Sequence, residues 1–588
     1  MLPESPELQD LFDLSTYDAW KSAVTDIEGD ALRAAKRLAR KTLDGAKLRA
    51  LYTADDALRV ADAGQSPFTR GRATVAASGG WLRCQAIGSA ETDLADAVRD
   101  GATAVAWDAA RPMTAVQVLG TPEGLPIVLP ACPAGDESLL AALASRGCRG
   151  DGAGVDPLGY AARTGTAVSP LKEALRSTVA QSHAHSWSEG THPLLVDVMP
   201  YHEAGATHAQ VLGFALATQL ALLRAAEVEG VELDWVAKHL ACRMPLTPHV
   251  WSSVARFRAM RTIWSRLQEA CGIDATALWI HGVPSLRVFT RRAPKNNILR
   301  NTLSLIGGAL GGADMLTSLP FDALTGPTDE SVRLALMTQH VLAEEARLEE
   351  QVDLAGGAWR LEAQSASLAQ SAWSVAQAVE AQGGMAKALA SGWVGEQVAG
   401  VAQTRRERFA KRKTGIVGVS RYVMNTDRQA PVVLRRPACA SVRVCTPLAM
   451  VRDADGYEEL VDGAHGVTDG PVRACVYTLG DAAMHEQRAT WVTHMLASGG
   501  LSAVRVAEGD PIPEGLWVMV CGSDAALAAK GPTWVKTLID GGASAVSVVG
   551  LRGSDATRWE AAGADVLREG IDVVHRLRRA LSQAAVRA

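Results

Sequence analysis

The chain has 588 residues, with 59 Lys and Arg against 64 Asp and Glu, and a formal net charge of −5. That length means several domains, or one large barrel with a smaller companion. A composition of 48 % hydrophobic and 21 % charged residues excludes a disordered chain, a collagen-like repeat and a disulfide scaffold. The slightly acidic balance argues against nucleic acid as a partner.

Residues 7–50 read as helix, with Leu8, Leu11 and Phe12 followed by Trp20, Val24 and Ile27 at helical spacing. Residues 1–70 are expected to form an arm that packs on another chain. Residues 71–425 alternate short β-branched runs with longer helical segments. The runs are Ala102–Trp107, Leu125–Leu129, Leu194–Val198, Leu278–Ile280 and Leu286–Phe289. The helical segments are Ala209–Glu227, Val250–Ala270, Asn297–Gly311, Asp329–Glu350 and Ser365–Gln382. This α/β alternation fits a (β/α)8 TIM barrel better than an open sheet. Residues 426–470 lose the periodicity and read as linker. Residues 471–588 form a second α/β unit with strands at Val472–Thr478, Ala503–Val506, Trp517–Cys521 and Ala545–Val549. Its helices fall near Ala482–Leu496, Asp524–Ile539 and Ile571–Leu581, a pattern of the flavodoxin type.

The 9 cysteines include no C-x-x-C pair and are odd in number, which reads as free thiols in a reducing compartment. The acidic start Met1-Leu2-Pro3-Glu4 lacks the basic and apolar regions of a signal peptide, so a cytoplasmic location is expected. The most apolar stretch, Val211–Ala226, is interrupted by Thr218, Gln219 and Arg224 and reads as too short to span a bilayer. No membrane association is expected.

Gly307-Gly308-Ala309-Leu310-Gly311-Gly312 matches neither nucleotide-binding glycine pattern and reads as a close helix contact. His183, His185 and His192 lack companions at metal-ligand spacing and read as solvated loop histidines, so no metal is expected. Arg405-Arg406-Glu407-Arg408 reads as a charged helix face. Tyr201-His202-Glu203 follows an apolar run, where a barrel strand would deliver side chains to the catalytic mouth. A histidine there could serve as acid, base or hydrogen-bond donor. A loop histidine beside a packed tyrosine explains the same residues equally well.

Several segments taken in order resemble the methylmalonyl-CoA mutase family of adenosylcobalamin-dependent acyl-CoA mutases. They are Leu51-Tyr52-Thr53, Pro67-Phe68-Thr69-Arg70-Gly71, Tyr201-His202-Glu203-Ala204-Gly205-Ala206 and Arg256-Phe257-Arg258-Ala259 with Ile263-Trp264. Further along come Asn296-Asn297-Ile298-Leu299-Arg300-Asn301-Thr302, Gln351-Val352-Asp353-Leu354-Ala355-Gly356-Gly357, Gly383-Gly384-Met385-Ala386-Lys387-Ala388 and Gly415-Ile416-Val417-Gly418-Val419. The resemblance spans residues 15–425. It implies a substrate barrel capped by a cobalamin domain, with the cofactor carrying the radical chemistry.

The chain departs from the family pattern where that chemistry sits. The family's D-x-H-x-x-G cobalt-ligand motif is replaced by Asp481-Ala482-Ala483-Met484-His485, and its S-x-L signal by Cys521-Gly522-Ser523. The later Gly-Gly pair becomes Gly550-Leu551. In the barrel motif Trp-x-x-Arg-Gln-Tyr, aligning Trp81 and Gln85 puts Cys84 at the Arg and Ala86 at the Tyr. The chain thus resembles the small (β) chain of heterodimeric members. That resemblance implies a degenerate site and a catalytic large-subunit partner holding adenosylcobalamin. The complex would interconvert (R)-methylmalonyl-CoA and succinyl-CoA, within propionate metabolism. Tyr201, His202 and Gln85 would be remnants of the substrate site, and Asp481 and His485 remnants of the cofactor site. Two other readings are an active acyl-CoA mutase with atypical cobalamin ligation, and an acyl-CoA-binding regulatory module.

Overall fold

A computed structural model describes residues 17–30, 37–73, 80–87, 91–107, 114–129, 137–148, 150, 152, 154–423, 429–433, 442–467 and 472–585. The larger unit is built on seven parallel strands: β1 (Leu82–Ile87), β2 (Ala104–Trp107), β3 (Ile127–Val128), β4 (Leu194–Asp197), β5 (Leu240–Leu246), β6 (Trp279–Pro284) and β7 (Met315–Ser318). They pair in the order β3-β2-β1-β7-β6-β5-β4. Two isolated parallel bridges, Val128 to Gly152 and Val155 to Leu194, join the outer strands β3 and β4. The sheet is therefore curled into a TIM-like barrel with one thin stave.

Side-chain alternation sorts the residues of each strand. Cys84, Ala104, Ala106, Val128, Leu195, Ala241, Trp279 and Met315 pack as one cluster drawn from all seven strands, which places it inside the ring. Their neighbours Val196, Cys242, Ile280 and Leu316 point outward into the core under the helices. Strands β1, β5 and β7 were not anticipated from sequence. Arg83 and Gln85 interrupt the first, Arg243 and Pro245 the second, and the third is only 4 residues long. Leu286–Val288, expected as strand, is a 3-10 turn whose start is capped by the Ser285 hydroxyl accepting from the Arg287 amide.

The helix Val250–Ala270 has the expected bounds, and Asn296–Leu310 lies within one residue of expectation. A Cβ at Gly307 would stand 2.9 Å from the Ser253 Cβ, and one at Gly308 would stand 2.4 Å from a Leu316 methyl. These glycines set how closely the two helices and β7 approach, as expected. The expected helix Asp329–Glu350 instead becomes a π-helical turn after His340.

The continuous N-terminal helix expected over residues 7–50 is corrected. Leu8, Leu11 and Phe12 lie outside the described residues, and Tyr17–Glu28 is helical. Arg40–Lys41 then pairs antiparallel with Lys47–Leu48. The turn between them closes because the Thr42 hydroxyl accepts from the Ala46 amide and Gly45 adopts a φ of 85°.

The smaller unit contains a five-stranded parallel sheet: β8 (Arg473–Thr478), β9 (Ser502–Ala507), β10 (Trp517–Cys521), β11 (Ala545–Val549) and β12 (Asp565–Leu567). The strands lie in the order β9-β8-β10-β11-β12. One face carries Val476, Met519 and Cys521 against the helices Ala482–Ser498 and Val573–Ala585. The other carries Cys475, Val518 and Val548 against Val535, Leu538 and Trp559. The single helix expected over Asp524–Ile539 is two, Asp524–Lys530 and Trp534–Asp540, because Gly531-Pro532 breaks it.

The stretch expected as linker holds a helix, Asp455–Val467, whose Tyr457, Leu460 and Ala464 enter the smaller unit's core. The two units are tied at this helix. Arg291 pairs with Glu458 at 3.0 Å, and Arg292 donates to the Ser498 and Ala497 carbonyls at 3.1 and 2.8 Å.

The apolar run expected to be too short for a bilayer is part of a 22-residue helix, His208–Glu229, which has the length and apolarity to cross one. It serves instead as a core helix here, with 14 of its residues buried.

Candidate functional site

A cavity of about 860 Å3 opens beside the C-terminal ends of β5 and β6, the face on which barrel enzymes place their chemistry. Thr247 and His249 follow β5 directly, and Arg287 comes from the 3-10 turn after β6. The hairpin of residues 40–49 and the helices Asn296–Leu310, Trp359–Ala381 and Trp393–Ala410 supply the walls.

Cations gather at its base. Arg287 is 2 % exposed and donates to the His202 carbonyl at 2.6 Å, while its Nε has no partner. Arg256 is fully buried and bonds only to His208 Nδ1 and the Ser253 hydroxyl, each at 3.1 Å. Burial first, and the neighbouring Arg287 second, lower the Arg256 guanidinium to about 9. Arg287 falls to about 10 through burial and the charge of Arg405. His202 is fully buried, and burial followed by the charges of Arg287 and Arg256 push it well below the usual histidine range. It is therefore a neutral imidazole at pH 7, with neither ring nitrogen partnered. Burial raises the carboxyl of Asp453 beside them, and its Oδ1 is likewise unpartnered.

The residues singled out from sequence do not form one site. Tyr201 is buried in the helix-layer core, its ring 5.3 Å from Phe214. His202, next in the chain, faces the cationic group instead. Gln85 lies in register with Val105 and Ser318 on the outer side of the barrel, opposite to its inward neighbour Cys84. The pairing of Tyr201 with His202 as one mouth motif is thus divided by the fold. Arg405 and Arg408, expected on a charged helix face, both line the cavity because they stand three apart on one side of their helix. His192, expected in a solvated loop, is buried with its ring 5.0 Å from Trp279, and burial lowers it to about 3. Among the described residues, no group of three or more His, Cys, Asp or Glu could hold a metal.

Inside the barrel the polar residues are paired. Asp197 is fully buried and accepts from Arg163 at 2.8 Å and Arg243 at 3.1 Å. His281 Nε2 lies 2.7 Å from the Thr317 hydroxyl. The carboxylate of Asp156 receives the Leu158, Gly159 and Asp197 amides, yet burial pushes it up to about 7.

In the smaller unit the strand order reverses between β8 and β10, the place where open α/β sheets usually bind ligands. Arg488 reaches over that crevice. Its Nη1 donates to the Gly522 carbonyl and its Nη2 pairs with Asp524, both at 2.5 Å, and a Cβ at Gly550 would stand 2.5 Å from its Nε. Asp481 is exposed at the start of the helix Ala482–Ser498, and His485 sits half-buried in its first turn.

Arg287 and Arg405 line the cavity and Arg256 is buried beside them, three positions that no local spacing connects. Arg256 and Arg405 each lie in a segment already singled out in the sequence, and Arg287 lies in one expected only as a strand.

The family model for methylmalonyl-CoA mutase matches residues 146–459. The chain is 33 % identical to the methylmalonyl-CoA mutase small subunit of Streptomyces virginiae, over 94 % of this chain and 95 % of that protein. It is 31 % identical to the small subunit of Propionibacterium freudenreichii subsp. shermanii, over 72 % of this chain and 67 % of that one. Similarity to the methylmalonyl-CoA mutase of Escherichia coli (strain K12) is 29 % and covers 42 % of this chain. By full-length match and by its TIM-like barrel, the chain belongs to the methylmalonyl-CoA mutase family, among the relatives of its small subunits.

Proposed function

We propose that this chain is the non-catalytic small subunit of a cytoplasmic methylmalonyl-CoA mutase. It would pair with a large subunit that holds adenosylcobalamin and interconverts (R)-methylmalonyl-CoA and succinyl-CoA in propionate metabolism. The smaller unit is, in this reading, a flavodoxin-like relic of a cobalamin domain, supported by its 2-1-3-4-5 strand order. The observation that carries the proposal is the filling of the barrel. Trp279, Met315 and Leu195 pack across its interior, and the Asp197–Arg243 pair occupies the same side of the strands. An acyl chain threaded along the axis would have to displace them.

Cobalamin, when bound, supplies a homolysable cobalt–carbon bond. The residues here do not fit it. Arg488 lies across the crevice at the strand ends, on the wall of a cavity of about 480 Å3, and His485 projects from a helix behind Asp481 rather than from a loop. No step is assigned to this chain's residues on that account. Its contribution is to hold the fold that the large subunit packs against.

Purified alone and co-expressed with the large subunit, the chain is titrated with cobalamin while the corrinoid spectrum is followed. The proposal expects no binding alone and about one cobalamin per pair. Stoichiometric binding with turnover by the isolated chain would refute it.

A further inference from the structure

Elsewhere several buried arginines are answered by carboxylates, while Arg261 is answered by the Gly311 and Gly312 carbonyls. Arg258 pairs with Asp353 and Glu362, Arg243 with Asp197, and both Arg291 and Arg452 with Glu458. The cavity beside β5 and β6 differs in gathering many arginines without a carboxylate in one place. Arg40, Arg287, Arg300, Arg360, Arg405 and Arg408 all line it, and none forms an ion pair among the described residues. Lys41 and Lys47 add to the charge, and the facing carboxylates are only Asp44 and Asp453.

Convergent, unpaired cations repel one another, and the buried Arg287 is desolvated as well, so this arrangement costs stability unless an anion answers it. The guanidinium fork matches phosphate oxygens bidentately. Arg300 is already steered by the Thr290 hydroxyl at 2.9 Å and the Val417 carbonyl at 2.8 Å. The walls are not uniformly polar. Leu299, Leu303 and Phe409 also line the space, and Leu299 is 65 % exposed. A volume of about 860 Å3 suits a small organic molecule rather than a lone ion.

We propose that this cavity binds an organic polyphosphate. Its phosphoryl groups would lie on the arginines, and its apolar or ring portion against Leu299, Leu303 and Phe409. The site lies outside the barrel interior and is formed by this chain alone, so it does not depend on the small-subunit reading.

Calorimetric titration of the full chain, free and in complex with the large subunit, tests this with ATP, coenzyme A and inorganic pyrophosphate as separate probes. ATP or coenzyme A should bind in the micromolar range and weaken as salt rises, and the tighter of the two identifies the source of the phosphate. The double variant Arg360→Gln/Arg408→Gln should lose about tenfold in affinity or more while keeping its thermal midpoint. Leu303→Glu, on the apolar wall, should weaken binding in the same direction and provides a second variant. The proposal is overturned if neither organic probe binds at millimolar concentration, or if the variants bind as the parent does. It is equally overturned if pyrophosphate binds as tightly as both organic probes. Binding that disappears in the complex also overturns it, because the arginines then serve the subunit contact.

Discussion

Two regions lie side by side near the C-terminal ends of the barrel strands and treat charge in opposite ways. Inside the ring, Asp197 is fully buried between Arg163 and Arg243, and His281 leans on Thr317. A few residues away, Arg256 and Arg287 are equally buried yet bond only to carbonyls, a hydroxyl and a neutral imidazole. Buried charge with its own counter-charge is architecture, and removing one member breaks the fold. Buried charge without one is held in tension and becomes useful when something else arrives.

The largest expected effect tests the architectural half. Asp197→Ala strands two guanidinium groups in the barrel and should cost about 3–5 kcal/mol in chemical denaturation. A loss below about 1 kcal/mol would mean that the pairing inside the ring is no tighter than that at a surface.

A pH-dependent effect follows from Asp156. Its folded carboxyl titrates near 7 rather than 3.8, so the native state keeps a proton that the unfolded chain releases. Its contribution is therefore fully present below 3.8 and is lost as pH rises toward about 7. His192 acts in the opposite sense. Lowered from 6.5 to about 3, it contributes stability above 6.5 that is lost as pH falls toward 3. Comparing the parent with Asp156→Asn across this range isolates the first term. The parent's advantage should shrink as pH rises through the window, and a pH-independent difference would contradict the assignment.

The smallest effect belongs to the cavity. Arg408→Gln removes a cation with no carboxylate partner and should leave the thermal midpoint within the equivalent of about 0.5 kcal/mol, or raise it slightly. A large loss would place Arg408 with the paired, structural charges and erase the contrast.

Much of the fold was legible because long helices carry their own period. Val250–Ala270 reads from the sequence with its final bounds. The barrel strands were harder. A strand such as Leu240–Leu246 turns Arg243 into an ion pair inside the ring, so a buried element reads as a broken one. The N-terminal segment misled in another way, because a helical spacing seen from Leu8 to Ile27 was extended to residue 50 across a turn that Thr42 and Gly45 close. The cavity was the least legible part. Arg287 and Arg405 line it with Arg256 buried beside them, and only the closing of the barrel and its helices brings those positions together. Within the run at 405–408, the helical period decides which arginines turn inward, and the run itself reads only as charge.

The joint between the two units has a consequence for how the chain can be divided. Arg292 belongs to the barrel, yet it finishes the last turn of the helix Ala482–Ser498, placing a cation where the carbonyls of that helix end. In the other direction, Glu458 of the smaller unit holds Arg291 of the barrel, and Ile416 and Val419 lend apolar surface to the smaller unit's core. Each half thus completes an unfinished edge of the other. A fragment cut before residue 455 would carry a bare arginine pair and an open apolar seam, so the two halves are built to be made, and to fail, together.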